Sequence, residues 1–250
     1  MAWTKTYRGD EPQRINKWLA QAGVCSRREA ETLIADGLVR VDDKIVTDPG
    51  HKIAPGQTLT LEDEARTAPL SVVIHKPVGI VSAQPEGDQI PAVRLLTKEA
   101  LWGKAETIPS RKNKLAPVGR LDQDSRGLLI LSEDGVLAKA VIGPQSELDK
   151  EYLVRVTGAI NAKKLALLRH GLMLDGRQLK PAKVTQIGDH SLRFILNEGR
   201  NRQIRRMAEA VDLHVTDLKR IRIGPLELGD LPERRWRMLT KDERAALIAG

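Results

Sequence analysis

The stretch APVGRLDQDSRGLLILSEDG, residues 116–135, is the part of the chain that decides how the rest is interpreted. Apolar runs at its two ends, Leu115–Val118 and Leu128–Leu131, enclose the polar segment GRLDQDSRG. Two apolar runs around a polar segment predict two buried strands joined by an exposed loop. A loop held between buried strands is where a rigid scaffold presents reactive side chains.

Asp122 is the candidate reactive group of this loop. It lies two residues after Arg120 and four before Arg126, so we expect its carboxylate to be ionised. An ionised carboxylate is a competent nucleophile. Asp122, Asp124 and Ser125 are also the residues of an ordinary turn, in which such side chains cap their own backbone. The loop residues by themselves leave both interpretations open.

The whole stretch resembles the signature loop of the RNA pseudouridine synthases, in the branch that includes the small-subunit and several large-subunit ribosomal RNA enzymes. That branch carries Gly-Arg-Leu-Asp, two further residues, Ser, one residue, and Gly-Leu-Leu. The matching positions here are Gly119, Arg120, Leu121, Asp122, Ser125, Gly127, Leu128 and Leu129. The resemblance implies that Asp122 is the catalytic nucleophile.

Composition favours a polyanionic partner. The 250 residues carry a formal net charge of +8. The basic excess lies after residue 64, where 32 Lys and Arg stand against 22 Asp and Glu. This balance makes nucleic acid the first candidate. The single cysteine, Cys25, excludes an intrachain disulfide, and no run of about 18 apolar residues or signal-peptide pattern occurs. We therefore expect a cytoplasmic protein with no membrane contact.

The N-terminal part predicts a small module of two helices and a hairpin. Residues 1–10 are polar and predict a disordered start. Helical spacing on one apolar face is shown by Ile15, Trp18, Leu19 and Ala22. Ser26 and Glu29 predict the capping box of a second helix. Two strand-like pieces follow, Leu38–Val41 and Leu59–Leu61.

The order RINKWLAQAG, CSRREAETLIADGLVRVDDK and IAPGQTL resembles the S4 domain, a small RNA-binding module named after a ribosomal protein. The polar residues at its two helix starts predict phosphate contacts through side chains and backbone N–H groups. The candidate substrate-binding residues are Arg14, Lys17, Ser26, Arg27 and Arg28. Most members of this family carry Asn-Gly where this chain has Asp42-Asp43, which places the difference in the hairpin turn. A solvated helix surface is the alternative.

Two later stretches extend the resemblance. HKPVGIVS, residues 75–82, resembles the opening of the catalytic domain. KEYLVRV matches the family's Lys-x-Tyr at Lys150 and Tyr152. A lone tyrosine at a strand position is by itself a core aromatic, whereas the resemblance implies that Tyr152 lies beside the target uracil.

Arginines are concentrated in NEGRNRQIRRMAEAV, where four of them lie between Arg200 and Arg206. Asn201 is predicted to cap a helix with an apolar face of Ile204, Met207, Ala208 and Val211. Four arginines so close together predict positive charge directed at one spot near the helix start. The stretch resembles the family's third motif, in which Arg205 would pair with Asp122 and Ile204 would lie under the base. We expect Arg202 and Arg206, with Arg120 and Lys150, to bind substrate.

The patterns together predict an α+β protein. We assign residues 10–63 to an S4-like RNA-binding domain, 64–70 to a linker and 71–243 to the catalytic domain. The resemblance implies a mixed, mostly antiparallel sheet built in two halves. It also implies conversion of uridine to pseudouridine in structured RNA by base flipping, without a metal or cofactor. The motifs resemble most the F-type large-subunit enzymes, so 23S rRNA is the expected substrate, with tRNA or 16S rRNA as alternatives, and we expect a monomer.

Two other classes of protein remain open. A non-catalytic RNA-binding or ribosome-assembly protein would explain the N-terminal module and the charge, but not the signature loop or Tyr152. A metal-dependent phosphodiesterase would use Asp122 and Asp124 as a Mg²⁺ pair. The five histidines are scattered through the chain and form no partner cluster for that pair.

Overall fold

The computed structural model describes residues 3–62, 69–105, 107–110, 113–170 and 172–250. In these residues the helices are α1 (Ile15–Gln21), α2 (Arg27–Ala35), α3 (Gly135–Ile142), α4 (Ala162–Arg169), α5 (Gln203–Glu209) and α6 (Lys241–Ala249). The strands of the first part are β1 (Trp3–Thr6), β2 (Gln13–Arg14), β3 (Val39–Val41), β4 (Lys44–Ile45), β5 (Lys52–Ile53) and β6 (Thr58–Leu61). The strands that follow are β7 (Ser71–Lys76), β8 (Ala116–Val118), β9 (Arg126–Ser132), β10 (Lys150–Thr157), β11 (Met173–Leu174), β12 (Arg177–Gln178), β13 (Lys183–Gly188), β14 (Ser191–Leu196), β15 (His214–Ile223), β16 (Leu226–Glu227) and β17 (Trp236–Met238).

One compact unit contains the described residues up to Leu70 together with Glu133–Lys139. Its strands form an antiparallel sheet in the order β1-β6-β3-β4, and β2 pairs with β5. The predicted capping box is confirmed, because the Ser26 hydroxyl accepts from the Glu29 backbone N–H and the Glu29 carboxylate accepts from the Ser26 N–H. Its core contains Ile15, Trp18, Leu19, Ala30, Ile34, Val39, Val41 and Leu59.

The predicted disorder of residues 1–10 is wrong from Trp3 onward. β1 pairs with β6, and Trp3 lies opposite Leu61. The rings of Trp3 and Tyr7 pack on Trp18, with centroid distances of 6.0 and 5.2 Å. The polar composition conceals this strand because only Trp3 within it and Tyr7 directly after it turn toward the core, while Thr4, Lys5 and Thr6 remain exposed. Two large rings bury enough apolar surface to order a short edge strand.

The hairpin between β3 and β4 accommodates the Asp42-Asp43 pair. Both residues have positive φ, 46° and 65°, which is the backbone that a two-residue hairpin turn requires. The Asp42 carboxylate accepts hydrogen bonds from the Thr58 backbone N–H and from Gln57 Nε2, each at 2.8 Å. The Asp42 side chain therefore stabilises a turn conformation that Asn-Gly sequences also favour.

The second compact unit contains Ser71–Ser132 and Ala140–Gly250. Nine of its described strands form one sheet in the order β13-β14-β10-β15-β9-β7-β17, with β16 on β15 and β8 on β9, and β11 pairs separately with β12. β15 and β9 pair in parallel, and the remaining pairs of this sheet are antiparallel. The predicted α+β class with a mixed, mostly antiparallel sheet is confirmed.

The signature stretch lies at the centre of this sheet. β8 and β9 are the two strands predicted on either side of the polar loop, and both are present. β9 lies between β7 and β15 and buries each residue from Gly127 to Ser132. A strand with neighbours on both sides and covered faces reads as a continuous apolar run, as LLIL does here. The loop is therefore anchored on its C-terminal side to a buried strand, whereas on its N-terminal side β8 is buried only at Val118, so the prediction that this strand is buried is wrong for Ala116 and Pro117.

The predicted linker, residues 64–70, falls mostly on positions that the structure does not describe, 63–68. Among the described helices, none combines the length and the apolar character needed to cross a membrane. Helix α6 was not anticipated, although Thr240 and Glu243 form its capping box.

Candidate active site

A cleft of about 560 Å³ opens at the signature loop, within the second unit. It is lined by seven of the predicted site residues, Arg120, Asp122, Lys150, Tyr152, Arg202, Ile204 and Arg205. The loop between β8 and β9, strands β10 and β15, and the segment from Leu196 to Arg205 contribute to its walls. This volume is in the range of pockets that enclose small molecules.

Asp122 presents a partly exposed carboxylate to this cleft. Its side chain is 34% exposed, and its nearest ion-pair partner among the described residues is Arg202, with Nη1 at 3.8 Å from Oδ2. The turn is closed by the Ser125 backbone N–H, which donates to the Asp122 carbonyl at 3.1 Å. A carboxylate that is near a cation and not locked in a short ion pair can react with a ligand in the cleft.

The stretch HKPVGIVS supports the backbone of the signature loop. The Ser82 hydroxyl donates to the Leu121 carbonyl at 2.7 Å and accepts from the Leu121 N–H at 2.9 Å. The Gly79 N–H donates to the Gln123 carbonyl at 2.8 Å. The residues directly before and after Asp122 are thus held in place. Ser82 was not predicted as a site residue, and its only sequence signal is its place in the second motif.

Lys76 places a buried ammonium group near the loop. Its side chain is fully buried, and Nζ donates to the carbonyls of Pro77 at 2.8 Å and Ile80 at 2.6 Å. Burial lowers the pKa of Lys76 to about 8, and the carboxylates of Asp122 and Asp124 act against this shift. Lys76 therefore stabilises the turn at residues 77–80, whose Gly79 N–H contacts the signature loop.

Arg126 does not have the role expected from its spacing. It forms a two-pronged pair with Asp217 at 2.8 and 2.7 Å and lies 3.6 Å from Glu233. The expectation that Arg126 holds the charge of Asp122 is wrong, because Asp217 on the neighbouring strand β15 takes up its guanidinium. Bidentate pairs of this kind are strong and directional.

Arg205 contacts the signature loop through Asp124. Its Nη2 donates to the Asp124 carbonyl at 2.7 Å, Nη1 donates to the Val215 carbonyl at 3.1 Å, and Nε lies 3.2 Å from Asp124 Oδ2. Across the described residues, no hydrogen bond or ion pair joins Arg205 to Asp122. The pairing of Arg205 with Asp122 that the resemblance implied is therefore not present. The guanidinium of Arg205 binds Asp124 instead.

Asp124 is the carboxylate to which both Arg202 and Arg205 bind. Arg202 donates to it through Nη1 at 3.0 Å and Nη2 at 2.9 Å. Partial burial acts in the opposite direction, but the Arg202 bonds and the charge of Arg205 hold the pKa of Asp124 below its usual range. Asp124 thus joins the loop to helix α5.

The arginine run does not converge on one spot, which corrects that expectation. Arg200 donates to carbonyls of the β11–β12 hairpin, those of Leu174, Arg177 and Gln178. Arg206 pairs with Asp175 in the same hairpin at 2.7 and 3.0 Å and does not line the cleft. Consecutive helical residues point about 100° apart, so Arg205 and Arg206 serve different neighbours.

The predicted cap of α5 is also wrong. The N-cap residue is Arg202, in the left-handed conformation with φ 49°, and it makes no side-chain cap. The Gln203 side chain accepts from the Arg200 N–H at 2.9 Å and donates to Glu198 at 3.0 Å. The turn is therefore stabilised from the first helical residue, and Asn201 remains exposed.

The remaining predicted residues of the second unit enclose the cleft. Tyr152 on β10 and Ile204 on α5 are buried, with exposures of 9% and 5%. Lys150 Nζ donates to the Leu148 carbonyl at 3.1 Å, and burial, with the nearby charge of Arg220, lowers its pKa. An aromatic ring and a branched aliphatic chain beside a carboxylate suit a flat, polar ring as ligand.

The N-terminal candidates lie in the other unit and do not line the cleft. Arg14, Lys17, Arg27 and Arg28 are exposed. The Ser26 hydroxyl is used to cap α2. These positions are compatible with contacts to an extended polyanion.

The magnesium hypothesis finds little support in this geometry. Among the described residues, no group of three or more His, Cys, Asp or Glu is placed to hold a metal ion. Asp124, the second acid of the supposed pair, is bound by Arg202 and Arg205.

Comparison with known families covers both units. The sequence model of the RNA pseudouridylate synthase family matches residues 71–210. The S4 domain model matches residues 13–59.

Several curated proteins are similar over nearly the whole chain. An uncharacterized RNA pseudouridine synthase of Aquifex aeolicus is 35% identical and covers 94% of this chain and 93% of its own length. The ribosomal large subunit pseudouridine synthase B of Bacillus subtilis is 34% identical and covers 95% and 96%. The dual-specificity RNA pseudouridine synthase RluF of Escherichia coli K12 is 33% identical and covers 94% and 78%. The identities to the B and F types are thus nearly equal.

A solved structure, described as a pseudouridylate synthase, superposes with a TM-score of 0.66 at 26% identity. It covers 94% of this chain and 99% of its own.

Proposed function

The chain belongs to the RNA pseudouridylate synthase family and is an RNA pseudouridine synthase with an S4 domain, and from this premise we propose the residues that carry out the reaction and the RNA on which they act. The proposed organisation is an RNA-binding domain at 10–63, a linker at 64–70 and a catalytic domain at 71–243. We also propose that the protein is a monomer and acts in the cytoplasm, and the single cysteine supports a reducing compartment.

Asp122 is the proposed nucleophile, and the observation that carries this role is its partly exposed carboxylate in the cleft. In one route Asp122 attacks C1′ of the target uridine, and the electrons of the N1–C1′ bond pass to the uracil. The base turns, C5 bonds to C1′ as the ester to Asp122 breaks, the C5 proton leaves and N1 gains a proton. In a second route Asp122 removes the 2′ proton as the N1–C1′ bond breaks, so that a C1′–C2′ double bond forms and the electrons of the N1–C1′ bond pass to the uracil. C5 then bonds to C1′ as C2′ regains a proton, after which the C5 proton leaves and N1 gains one. Both routes need one ionised carboxylate at this position.

The side chains around Asp122 suit a flipped base. A target uracil must leave its stack before its C1′ can be reached. Tyr152 and Ile204 would enclose the base, and Lys150 would line the pocket beside it. Arg120 and Arg202 lie at exposed positions of the cleft, where they would hold displaced phosphates. Arg205 would position the loop through Asp124, and Arg206 would act outside the pocket, on the adjoining RNA.

Ribosomal RNA of the large subunit is the proposed substrate. The name of the Bacillus subtilis relative supports this choice, and the chain covers nearly all of that protein. The dual-specificity name of the Escherichia coli relative keeps a second RNA open, for which tRNA and 16S rRNA are the candidates.

Tritium release from RNA labelled at uridine C5 tests the proposal. We expect release from 23S rRNA at a rate that EDTA does not change, and less release from 16S rRNA and tRNA. Release from tRNA or 16S rRNA alone would replace the substrate. Loss of release in EDTA, restored by Mg²⁺, would overturn the proposal that the reaction proceeds without a metal. Release from no RNA despite tight binding would favour a non-catalytic RNA-binding factor.

The exposed basic residues of the N-terminal unit should contribute phosphate contacts. We expect the fourfold replacement of Arg14, Lys17, Arg27 and Arg28 by Gln to weaken RNA binding and raise KM, with kcat nearly unchanged. If each residue neutralises one phosphate, the slope of log K against log salt should fall in magnitude by about 3. Binding titrations at several salt concentrations measure this slope.

The matched control removes four other exposed charges from the same unit, those of Lys5, Arg8, Lys44 and Lys52. It should change the slope by less than about 1 if RNA contacts the helix starts. Equal slopes for the two variants would mean that only the net charge of the unit matters.

A further inference from the structure

Arg220 is the most buried of the arginines that line the cleft. It is in the middle of β15, and its side chain is 2% exposed while still lining the cleft. In the sheet it is opposite Tyr152 on β10 and Gly127 on β9. Residues directly opposite each other on neighbouring strands project to the same face. The guanidinium of Arg220 is therefore a neighbour of the Tyr152 ring.

The guanidinium of Arg220 is only partly satisfied. Nε donates to the Leu128 carbonyl at 2.8 Å, and Nη1 makes a long bond of 3.3 Å to the Arg120 carbonyl. Nη2 is buried and has no hydrogen-bond partner in the part of the chain that is described. No ion pair to a carboxylate is found for Arg220 within that same part.

Arg222, two residues further along β15, shows what a structural arginine looks like in this sheet. It donates to both carboxylate oxygens of Asp149 at 2.6 and 3.0 Å and to Glu151 at 2.9 Å. It does not line the cleft. A buried cation without a carboxylate is strongly unfavourable unless another group compensates its charge. Buried charged groups without a partner in the protein occur mostly at functional sites, where a bound ligand can supply the missing partner.

We infer that Arg220 is a further catalytic residue, whose free Nη2 donor binds a carbonyl oxygen of the flipped uracil and stabilises the charge on the departing base. This role rests on the proposed function. When the N1–C1′ bond breaks, its electron pair spreads over N1, O2 and O4 of the uracil. A fixed cationic donor in a site without water is most effective where such charge develops.

The burial of Arg220 favours the base over a phosphate as its partner. The other cations of the cleft, such as Arg120 and Lys180, are exposed and can reach phosphates at the rim. Arg220 is buried, and it lies opposite the tyrosine proposed to contact the base. A phosphate would have to leave the exposed cations and enter the buried part of the cleft to reach it.

Single-turnover rates with two target nucleotides test this role. The RNA carries either uridine or 5-fluorouridine at the target position, and loss of the original nucleoside is scored by chromatography after nuclease digestion. The ring anion of 5-fluorouracil is intrinsically more stable than that of uracil. We expect Arg220→Gln to slow the uridine reaction by about 10²–10³-fold, the effect typical of one oxyanion donor, and to slow the fluorinated one at least tenfold less.

Arg220→Lys retains the charge and should show a smaller loss with the same dependence on the leaving group. Arg222→Gln is the matched structural control, and it should lower the melting temperature while slowing both substrates equally. Equal losses on both substrates in the Arg220 variants, or no loss at all, would overturn the role of Arg220. A wild-type chain that converts neither RNA would instead overturn the proposed function.

Discussion

Replacement of Asp122 by Asn is expected to lower the rate of pseudouridine formation by about 10⁴-fold or more, as removal of a nucleophile does in enzymes that use one. The amide has the size of the carboxylate but neither its charge nor its nucleophilicity. The side chain of Asp122 gives up only a long ion pair to Arg202, at 3.8 Å. The backbone contacts that hold the loop, through Ser82 and Ser125, do not involve the side chain. The loss should therefore fall on kcat, with RNA affinity and melting temperature close to those of the wild type.

Asp124→Asn is the matched control for this variant. Asp124 lies two residues further along the same loop, and its carboxylate binds Arg202 and Arg205. Its replacement should weaken the attachment of α5 and reduce the rate by about 10–100-fold, since it disturbs the position of the site and not the attacking group. Tritium release under single-turnover conditions measures both variants. Residual activity in Asp122→Asn equal to that of Asp124→Asn would contradict the assignment of the nucleophile.

Gly127→Ala is expected to destabilise the second unit by about 2–6 kcal/mol, combining backbone strain and overpacking of about 1–3 kcal/mol each. Gly127 has φ 111°, a conformation that residues with a side chain rarely adopt. A Cβ at this position would lie 2.2 Å from the Arg220 carbonyl oxygen and 2.7 Å from its nitrogen. Because β9 and β15 form the parallel pair that contains both residues, the strands would have to separate.

Urea denaturation measures this effect, and Gly103→Ala is its control. Gly103 also has positive φ, 90°, but a Cβ there meets no atom within 4 Å. The control should cost only the backbone strain, about 1–2 kcal/mol. Equal destabilisation of the two variants would show that the close approach of Arg220 is not what requires glycine at position 127. The positive φ of Gly127 would then be the sole reason for glycine at this position.

The sequence predicted the signature loop well because its signals are local. The apolar runs around GRLDQDSRG predicted β8 and β9, and Ser26 with Glu29 predicted the start of α2. Both inferences depend on residues that are neighbours along the chain, where periodicity and capping act directly.

The site was predicted less completely than the strands. Seven of the predicted residues line one cleft, which follows from the motifs that carry the resemblance. Arg220 and Ser82 were missed because neither residue type is unusual for its place in a sequence. Their significance depends on contacts to Leu128 and Leu121, respectively 92 and 39 residues away along the chain.

The N-terminal strand shows the same limit in the fold. The polar composition of residues 1–10 predicts disorder, and no local pattern within the segment indicates a strand. Trp3 pairs with a residue 58 positions later, Leu61, and stacks near Trp18. Burial of two rings against a partner that lies elsewhere in the sequence decides its structure.

By itself the sequence determined the class of the protein, the strands and helices of its motifs, and the loop that carries Asp122. Only the tertiary structure decided where the guanidinium groups go. Arg202 and Arg205 bind Asp124, Arg126 binds Asp217, and Arg220 has a donor without a partner. The physical reason is that an arginine side chain is long and takes the nearest acceptor in space. That acceptor is set by strand order and not by spacing along the chain.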